Sequence, residues 1–201
     1  DGGGVPADEI VAVSVTSQWS GTVAVDDVGH HLYPAVIWMD SRGAPYVHDL
    51  VSARVNVAGY HPLRLKAWIQ KTGGIPSHSG KDPIGHILWL RHERPDVYRA
   101  TRYFLEPCDY LNARLTGRIC ASYDSIVAHW LTDNRDLSTV VYDAELLSLC
   151  GLPDSQRPPL APSVAMMRCN GCSAFSRSSW LWMRLSTSSR CATRKSPATV
   201  R

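Results

Sequence analysis

The N-terminal part of the chain alternates between short apolar runs and short polar breaks. Three runs rich in valine and other apolar residues occur, at residues 11–15, 22–25 and 32–39. Two polar breaks separate them, at residues 16–21 and 26–29. Alternating β-branched positions bounded by glycine and aspartate are typical of strands and hairpins. The pattern therefore predicts three leading β-strands.

From residue 42 onward the apolar positions recur every three or four residues, which is the spacing of amphipathic helices. We expect helices in five segments, at residues 42–55, 62–72, 82–94, 109–115 and within 138–150. A short strand is expected at residues 103–106. Pro62 and Gly73 suit the ends of the second helix, because proline fits the first helical turn and glycine the position after the last. Strands followed by several helices predict a mixed α/β domain.

The first polar break has an unusual composition for a surface turn. It reads Ser-Gln-Trp-Ser-Gly over residues 17–21, and these side chains can stack on and hydrogen-bond a polar ligand. The third apolar run ends in Trp-Met-Asp-Ser-Arg over residues 38–42, which places a carboxylate and a guanidinium at a predicted strand end. Ligands tend to bind at such ends in α/β sheets. The candidate binding residues from these two segments are Gln18, Trp19, Ser20, Asp40 and Arg42.

In this order, these segments resemble the N-terminal domain of the FGGY carbohydrate kinases, which phosphorylate sugars and polyols with ATP. A second block supports the resemblance: WLR at residues 89–91, DYL at residues 109–111 and LTG at residues 115–117. The similarity extends over residues 8–165, and the xylulokinase branch is the most similar. In that branch Met-His is usual where this chain has Trp19-Ser20, so the sequence leaves the identity of the sugar open.

The resemblance implies a ribonuclease-H-like, actin-type ATPase fold of the α/β class, incomplete in this chain. It implies sugar contacts from the five candidates above and adds Asp109, Tyr123 and Asp124. The family's general base and its Gly-rich ATP loops have no counterpart in this sequence, so we predict no catalytic residue here. ATP and Mg²⁺ serve the full-length relatives, and we expect this chain to bind neither tightly. The expected function is that of an inactive fragment of a xylulokinase-like sugar kinase.

Structural alternatives stand beside these functional interpretations. Trp19 could fill the core of an ordinary buried turn. Asp40 could be a helix N-cap that forms a surface ion pair with Arg42. Asp109 also suits the N-terminal turn of a helix.

Composition bounds the class of protein. The chain has 201 residues, of which 44% are hydrophobic and 19% charged, values ordinary for one globular domain. It contains no run of about 18 apolar residues, and its start lacks the features of a signal peptide. We therefore predict a cytoplasmic setting, a small-molecule sugar as partner, no membrane and no nucleic acid, with the oligomeric state open. The eight histidines show no metal-ligand spacing, so no metal site is predicted.

The last 36 residues differ from the rest. Residues 166–201 hold seven basic residues and no acidic one, whereas residues 1–165 carry a net charge of −4. We predict a partial kinase domain over residues 1–165 and a basic Ser/Arg/Cys-rich tail over residues 166–201 that is non-native or disordered. A frameshift near Ala165 is our hypothesis for its origin. Its Cys169-x-x-Cys172 could be half a zinc site or a fortuitous pair.

Two alternative functions remain open from the sequence. A non-catalytic sugar-binding or regulatory module would keep the sugar pocket without the transfer chemistry. A nucleic-acid-associated protein would use the basic tail to bind phosphates.

Overall fold

The computed structural model of the protein describes Pro6 and residues 13–162. This part of the chain contains seven α-helices: α1 (Ala44–Val51), α2 (Pro62–Thr72), α3 (Pro83–Glu93), α4 (Pro95–Ala100), α5 (Pro107–Thr116), α6 (Tyr123–Ile126) and α7 (Ala144–Cys150). It also contains six short strands: β1 (Val23–Val25), β2 (Tyr103–Leu105), β3 (Ala121–Ser122), β4 (Thr132–Asp133), β5 (Val141–Tyr142) and β6 (Leu160–Ala161). Two 3₁₀ turns span Val127–His129 and Asp154–Gln156. The mixed α/β composition confirms the prediction.

The strands pair in three small sheets. β1 runs antiparallel to β2, with Val23 opposite Leu105, and β4 runs antiparallel to β5. β3 and β6 are parallel. The β1–β2 pair places the polar turn that precedes β1 directly beside the junction between β2 and α5.

Helix α3 lies at the centre of the main hydrophobic core. Residues 83–90 of this helix are all buried, so it has no solvent-facing stripe over that length. Around it pack α1, α2, α4, α7 and β2, with Trp68 and Phe104 among the largest fully buried side chains. The indole Nε1 of Trp68 donates a hydrogen bond to the carbonyl oxygen of Trp130 at 2.9 Å, which satisfies its polar atom in the core.

Three glycines allow the N-terminus of α1 to approach α3 closely. A Cβ on Gly43 would lie 2.5 Å from the backbone carbonyl of Gly85. A Cβ on Gly80 would lie 1.9 Å from the backbone nitrogen of Ala44, and Gly80 also has a left-handed φ of +67°. These contacts hold the segment just before α1, which includes two of the candidate binding residues, against α3.

The helices predicted from the sequence are confirmed in place, and α2 has the predicted bounds of residues 62–72. The strand predicted at residues 103–106 is confirmed as β2. The predictions of the first and third leading strands are wrong for the residues that the structure describes. Residues 13–15 form no strand, and the segment 32–39 makes only one isolated bridge, from Val36 to Thr22. Pro34 lies inside that segment and cannot donate to a ladder, which explains why pairing does not continue.

Some predictions concern residues outside the described range. They include the disorder or non-native origin of the tail at residues 166–201, the frameshift near Ala165 and the half zinc site at Cys169 and Cys172, all of which stay predictions. Within the described residues, no helix is long and apolar enough to cross a membrane.

Candidate functional site

The polar turn before β1 presents Trp19 to solvent. Its side chain is 62% exposed, so the alternative that it fills the core is wrong. Gln18 and Ser20 on either side are half-buried. Ser20 adopts a left-handed φ of 62°, and its hydroxyl donates to the carbonyl oxygen of Lys81 at 3.4 Å. A non-glycine residue with positive φ persists only where its surroundings hold it, which fits a turn of fixed shape.

The turn rests on the junction between β2 and α5. The amide of Gly21 donates to Oε2 of Glu106 at 3.1 Å. A Cβ on Gly21 would lie 2.7 Å from Cγ of Pro107 and 3.1 Å from Nε2 of Gln18, so only glycine fits here without displacing a neighbour. This contact ties the turn to the residues that begin α5.

Glu106 is a buried acid that the sequence analysis did not select. It is 2% exposed, and burial raises its pKa to about 8, although the amides of Gly21 and Ser20 favour the ionised form. Its Oε1 lies 3.8 Å from Nε2 of His129, whose pKa burial lowers to about 3. The sequence offers one signal for Glu106: it is a single carboxyl residue between the apolar residues of β2 and the proline that begins α5.

Asp109 lies in the first turn of α5, and it is 1% exposed. Its Oδ1 accepts from the amide of Ser122 at 3.3 Å, and its Oδ2 accepts from the hydroxyl of Ser125. Burial raises its pKa to about 6, against these hydrogen bonds. In this conformation Asp109 orders the start of α6 and offers no free oxygen to solvent.

Tyr123 and Asp124, at the start of α6, differ in their surroundings. Asp124 is exposed, and its negative charge raises the pKa of both Asp109 and the Cys108 thiol slightly. Tyr123 instead packs against a small hydrophobic cluster that includes Val140. Asp124 is therefore open to solvent close to Asp109, whereas the Tyr123 ring is partly buried in this cluster.

Asp40 and Arg42 form an ion pair that is stacked on an aromatic ring. Arg42 Nε donates to Asp40 Oδ1 at 3.0 Å and to Oδ2 at 2.9 Å, and its guanidinium carbon lies 3.7 Å from the ring centroid of Trp89. Hydrogen bonds from Arg42 hold the pKa of Asp40 below its usual value. The N-cap of α1 is Gly43, so the N-cap alternative for Asp40 is wrong, whereas the ion-pair alternative is confirmed.

His86 connects the two groups of candidate residues. Its Nδ1 lies 3.1 Å from the hydroxyl of Thr22, which directly follows the turn, and its Nε2 lies 3.3 Å from the backbone oxygen of Asp40. The side chain is fully buried, and burial lowers its pKa to about 4. A neutral imidazole can donate from one nitrogen and accept at the other, so His86 satisfies both contacts without a charge.

The site combines an exposed indole face with an amide, hydroxyls and carboxylates, a set suited to a neutral polyol. It does not extend to a metal centre. Among residues 13–162, no group of three or more His, Cys, Asp or Glu side chains is placed to hold a metal ion.

Comparison with known proteins identifies the family of this chain. Residues 2–169 match the N-terminal domain of the FGGY family of carbohydrate kinases. The xylulose kinase of Streptomyces rubiginosus is 34% identical over 162 residues, which cover 80% of this chain and 30% of that enzyme. The L-fuculokinase of Haemophilus influenzae is 25% identical over 157 residues. The chain thus spans about 30% of the length of the curated relatives it matches.

Solved structures agree on the fold. The gluconate kinase of Lactobacillus acidophilus superposes with a TM-score of 0.59 over 76% of this chain and 28% of its own, at 21% identity. The xylulose kinase of Rhodospirillum rubrum gives a TM-score of 0.58 over 72% of this chain and 27% of its own, at 24% identity. The predicted ribonuclease-H-like, actin-type fold, incomplete in this chain, is confirmed. The chain belongs to the FGGY family of carbohydrate kinases and carries the N-terminal domain of that family.

Proposed function

We propose that this chain forms the sugar-binding part of an ATP-dependent, xylulokinase-like kinase and does not catalyse phosphoryl transfer by itself. The identity with xylulose kinases supports a ketose as the substrate class. The eight candidate residues from the sequence analysis remain its proposed site, in which Asp109 contributes through Ser122 and Ser125 and not by direct contact with the sugar. Sugar as the small-molecule partner and a cytoplasmic location belong to the same proposal.

The observation that carries the proposal is the exposed indole of Trp19 between two half-buried polar side chains. A sugar has apolar C–H faces and a rim of hydroxyls. An aromatic ring flanked by the Gln18 amide and the Ser20 hydroxyl matches both features. Because the turn is anchored from within, this surface is formed before a ligand arrives, which lowers the entropy cost of binding.

Phosphoryl transfer depends mainly on positioning and electrostatic stabilisation. In the whole enzyme, a sugar hydroxyl attacks the terminal phosphorus of ATP, the bond from that phosphorus to the ADP oxygen breaks, and the hydroxyl proton passes to a base. The described residues contribute the binding and orientation of the sugar. The nucleotide, Mg²⁺ and the base are assigned to other parts of full-length relatives.

Calorimetric titration of the whole chain with D-xylulose, D-gluconate and glycerol tests the proposal. We expect saturable binding of D-xylulose, and no ADP release when ATP and Mg²⁺ are added. Gln18→Ala should weaken D-xylulose binding by about tenfold, since it removes a hydrogen bond from the half-buried Gln18 amide to the ligand. Gln70→Ala on the exposed face of α2 is the matched control and should bind as the parent chain does.

Each other outcome contradicts a part of the proposal. Absence of binding for all three compounds would overturn the sugar site. Sugar-dependent ADP release would show that the chain is a complete catalyst. If the chain binds a sugar but a longer protein that contains it does not transfer phosphate to that sugar, the regulatory module is favoured. Salt-dependent DNA binding would favour the nucleic-acid function.

A further inference from the structure

One buried acid supports the candidate turn from beneath. Glu106 Oε2 accepts the Gly21 amide at 3.1 Å, across 85 residues of sequence, and the Pro107 ring leaves no room for a side chain at Gly21. Gly21 immediately follows the three candidate residues 18–20. The position of Glu106 therefore sets the position of the turn.

The other oxygen of this acid lacks a hydrogen-bond partner. Oε1 of Glu106 and Nε2 of His129 are both buried, both unpaired among the described residues, and 3.8 Å apart. A shift of roughly 1 Å would bring them to hydrogen-bond distance. Two unpaired buried polar atoms that face each other indicate a pair that shares a proton or a bridging water.

The groups around Glu106 favour its uncharged form. Asp109 and Cys108 lie in the first turn of α5, directly after Glu106, and the carboxylate of Asp109 opposes a second negative charge nearby. His129 faces it from the 3₁₀ turn Val127–His129, and His86 on α3 acts on His129 in turn. No lysine or arginine in the described part of the chain forms an ion pair with Glu106, so burial is not offset by a cation.

We propose that Glu106 is a positioning residue, which fixes the sugar-binding turn by accepting the Gly21 amide with one oxygen while the other oxygen pairs with His129. This inference rests on the proposed function for the identity of the turn's ligand. The contacts of Glu106 with Gly21 and His129 do not depend on which ligand the turn binds. Glu106 does not itself touch the sugar and acts through the backbone of residues 18–21.

Two substitutions separate this role from a general contribution to folding. In Glu106→Gln the side-chain carbonyl still accepts the Gly21 amide, and the NH₂ group donates to His129. Glu106→Leu keeps a similar volume and removes both interactions. Thr101→Val is the matched control, since Thr101 is a buried polar residue whose hydroxyl bonds only within its own helix end, at Val97.

Two measurements on the full chain test the proposal: the ¹H–¹⁵N signal of the Gly21 amide through a pH titration, and the affinity for D-xylulose. In the parent chain the Gly21 signal should shift with the ionisation of Glu106, and in Glu106→Gln that shift should vanish. Glu106→Gln should retain D-xylulose affinity, whereas Glu106→Leu should lose about tenfold. Thr101→Val should retain both the titration and the affinity, even if its melting temperature falls.

Equal losses of affinity in Glu106→Gln and Glu106→Leu would overturn the positioning role of the uncharged acid. Unchanged amide-exchange protection of residues 18–21 in Glu106→Leu would overturn it as well. If the parent chain binds no D-xylulose, the proposed function fails. The Gly21 titration and the amide-exchange protection of residues 18–21 in Glu106→Leu then still decide whether Glu106 fixes the turn.

Discussion

The guanidinium carbon of Arg42 lies 3.7 Å from the ring centroid of Trp89, while its nitrogens bind both oxygens of Asp40. The indole fixes the plane of the guanidinium, and the guanidinium fixes the carboxylate. Asp40 is therefore held in one orientation before any ligand binds. Such preorganisation is what a polar binding site needs to discriminate between hydroxyl arrangements.

Arg42→Lys should lower the affinity for D-xylulose by about tenfold and cost roughly 1 kcal/mol of stability. Lysine cannot donate a planar fork to the carboxylate or stack flat on the indole. Titration calorimetry and urea unfolding measure the two effects. Arg135→Lys is the control, because Arg135 makes the same fork to Asp133 two residues earlier. Equal effects of the two substitutions on sugar affinity would contradict the assignment of Asp40 and Arg42 to the site.

Trp19→Ala should separate binding from stability. The side chain is mostly exposed, so we expect the free energy of unfolding to change by no more than about 0.5 kcal/mol. D-xylulose binding should fall below detection, because the stacking face is lost. Trp68→Ala should instead lower the free energy of unfolding by about 3–5 kcal/mol, because the Trp68 side chain is fully buried. A large drop in melting temperature for Trp19→Ala would show that the indole serves the fold.

Two glycines with similar backbone angles offer a test of close packing. Gly73 and Gly80 have φ values of +79° and +67°, but a Cβ on Gly73 meets nothing within 4 Å, whereas one on Gly80 would lie 1.9 Å from Ala44 N. Gly73→Ala should cost about 1 kcal/mol, the price of a left-handed alanine. Gly80→Ala should cost about 3 kcal/mol or more, because α1 must also move. Urea unfolding of both variants measures the difference, and equal costs would contradict the close approach.

Local signals in the sequence predicted most of the helices and part of the site. Helix α2 begins at Pro62 and ends at Gly73 as predicted, because proline and glycine act on their own backbone. The strand prediction for residues 32–39 failed, since a strand exists only through its partner, and Pro34 removes a donor from the ladder. The turn and the Asp40–Arg42 segment were predictable from residue type and family pattern.

The supporting residues of the site were not predictable in the same way. Glu106 contacts Gly21 across 85 residues, and His86 contacts Thr22 across 64. Neither contact follows from a local period, because each depends on the pairing of β1 with β2 or on the packing of α3. Family motifs indicate which residues face a ligand, while the buried groups that hold them become visible only in three dimensions.

Four buried groups make the stability of this chain depend on pH in opposite directions. His86 and His129 have pKa values lowered from 6.5 to about 4 and about 3, so below pH 6.5 the unfolded state binds more protons and acid destabilises the fold. Glu106 and Asp109 have pKa values raised from 4.5 to about 8 and from 3.8 to about 6. Their contribution is complete below the unfolded values and is lost as pH rises to the folded ones.

We therefore expect a nearly flat stability between pH 4.5 and about 6, where two groups oppose two others. Above about pH 7 the two histidines and Asp109 differ little between the folded and unfolded states, and the raised pKa of Glu106 remains, so the free energy of unfolding should fall by up to about 1 kcal/mol per pH unit until about pH 8. Urea unfolding across this range measures the slope. Glu106→Gln should abolish it, because an amide does not titrate, and Thr101→Val should leave it intact. A flat profile in the parent chain would contradict this prediction, because it would mean that the Glu106–His129 pair binds no proton above pH 6.5.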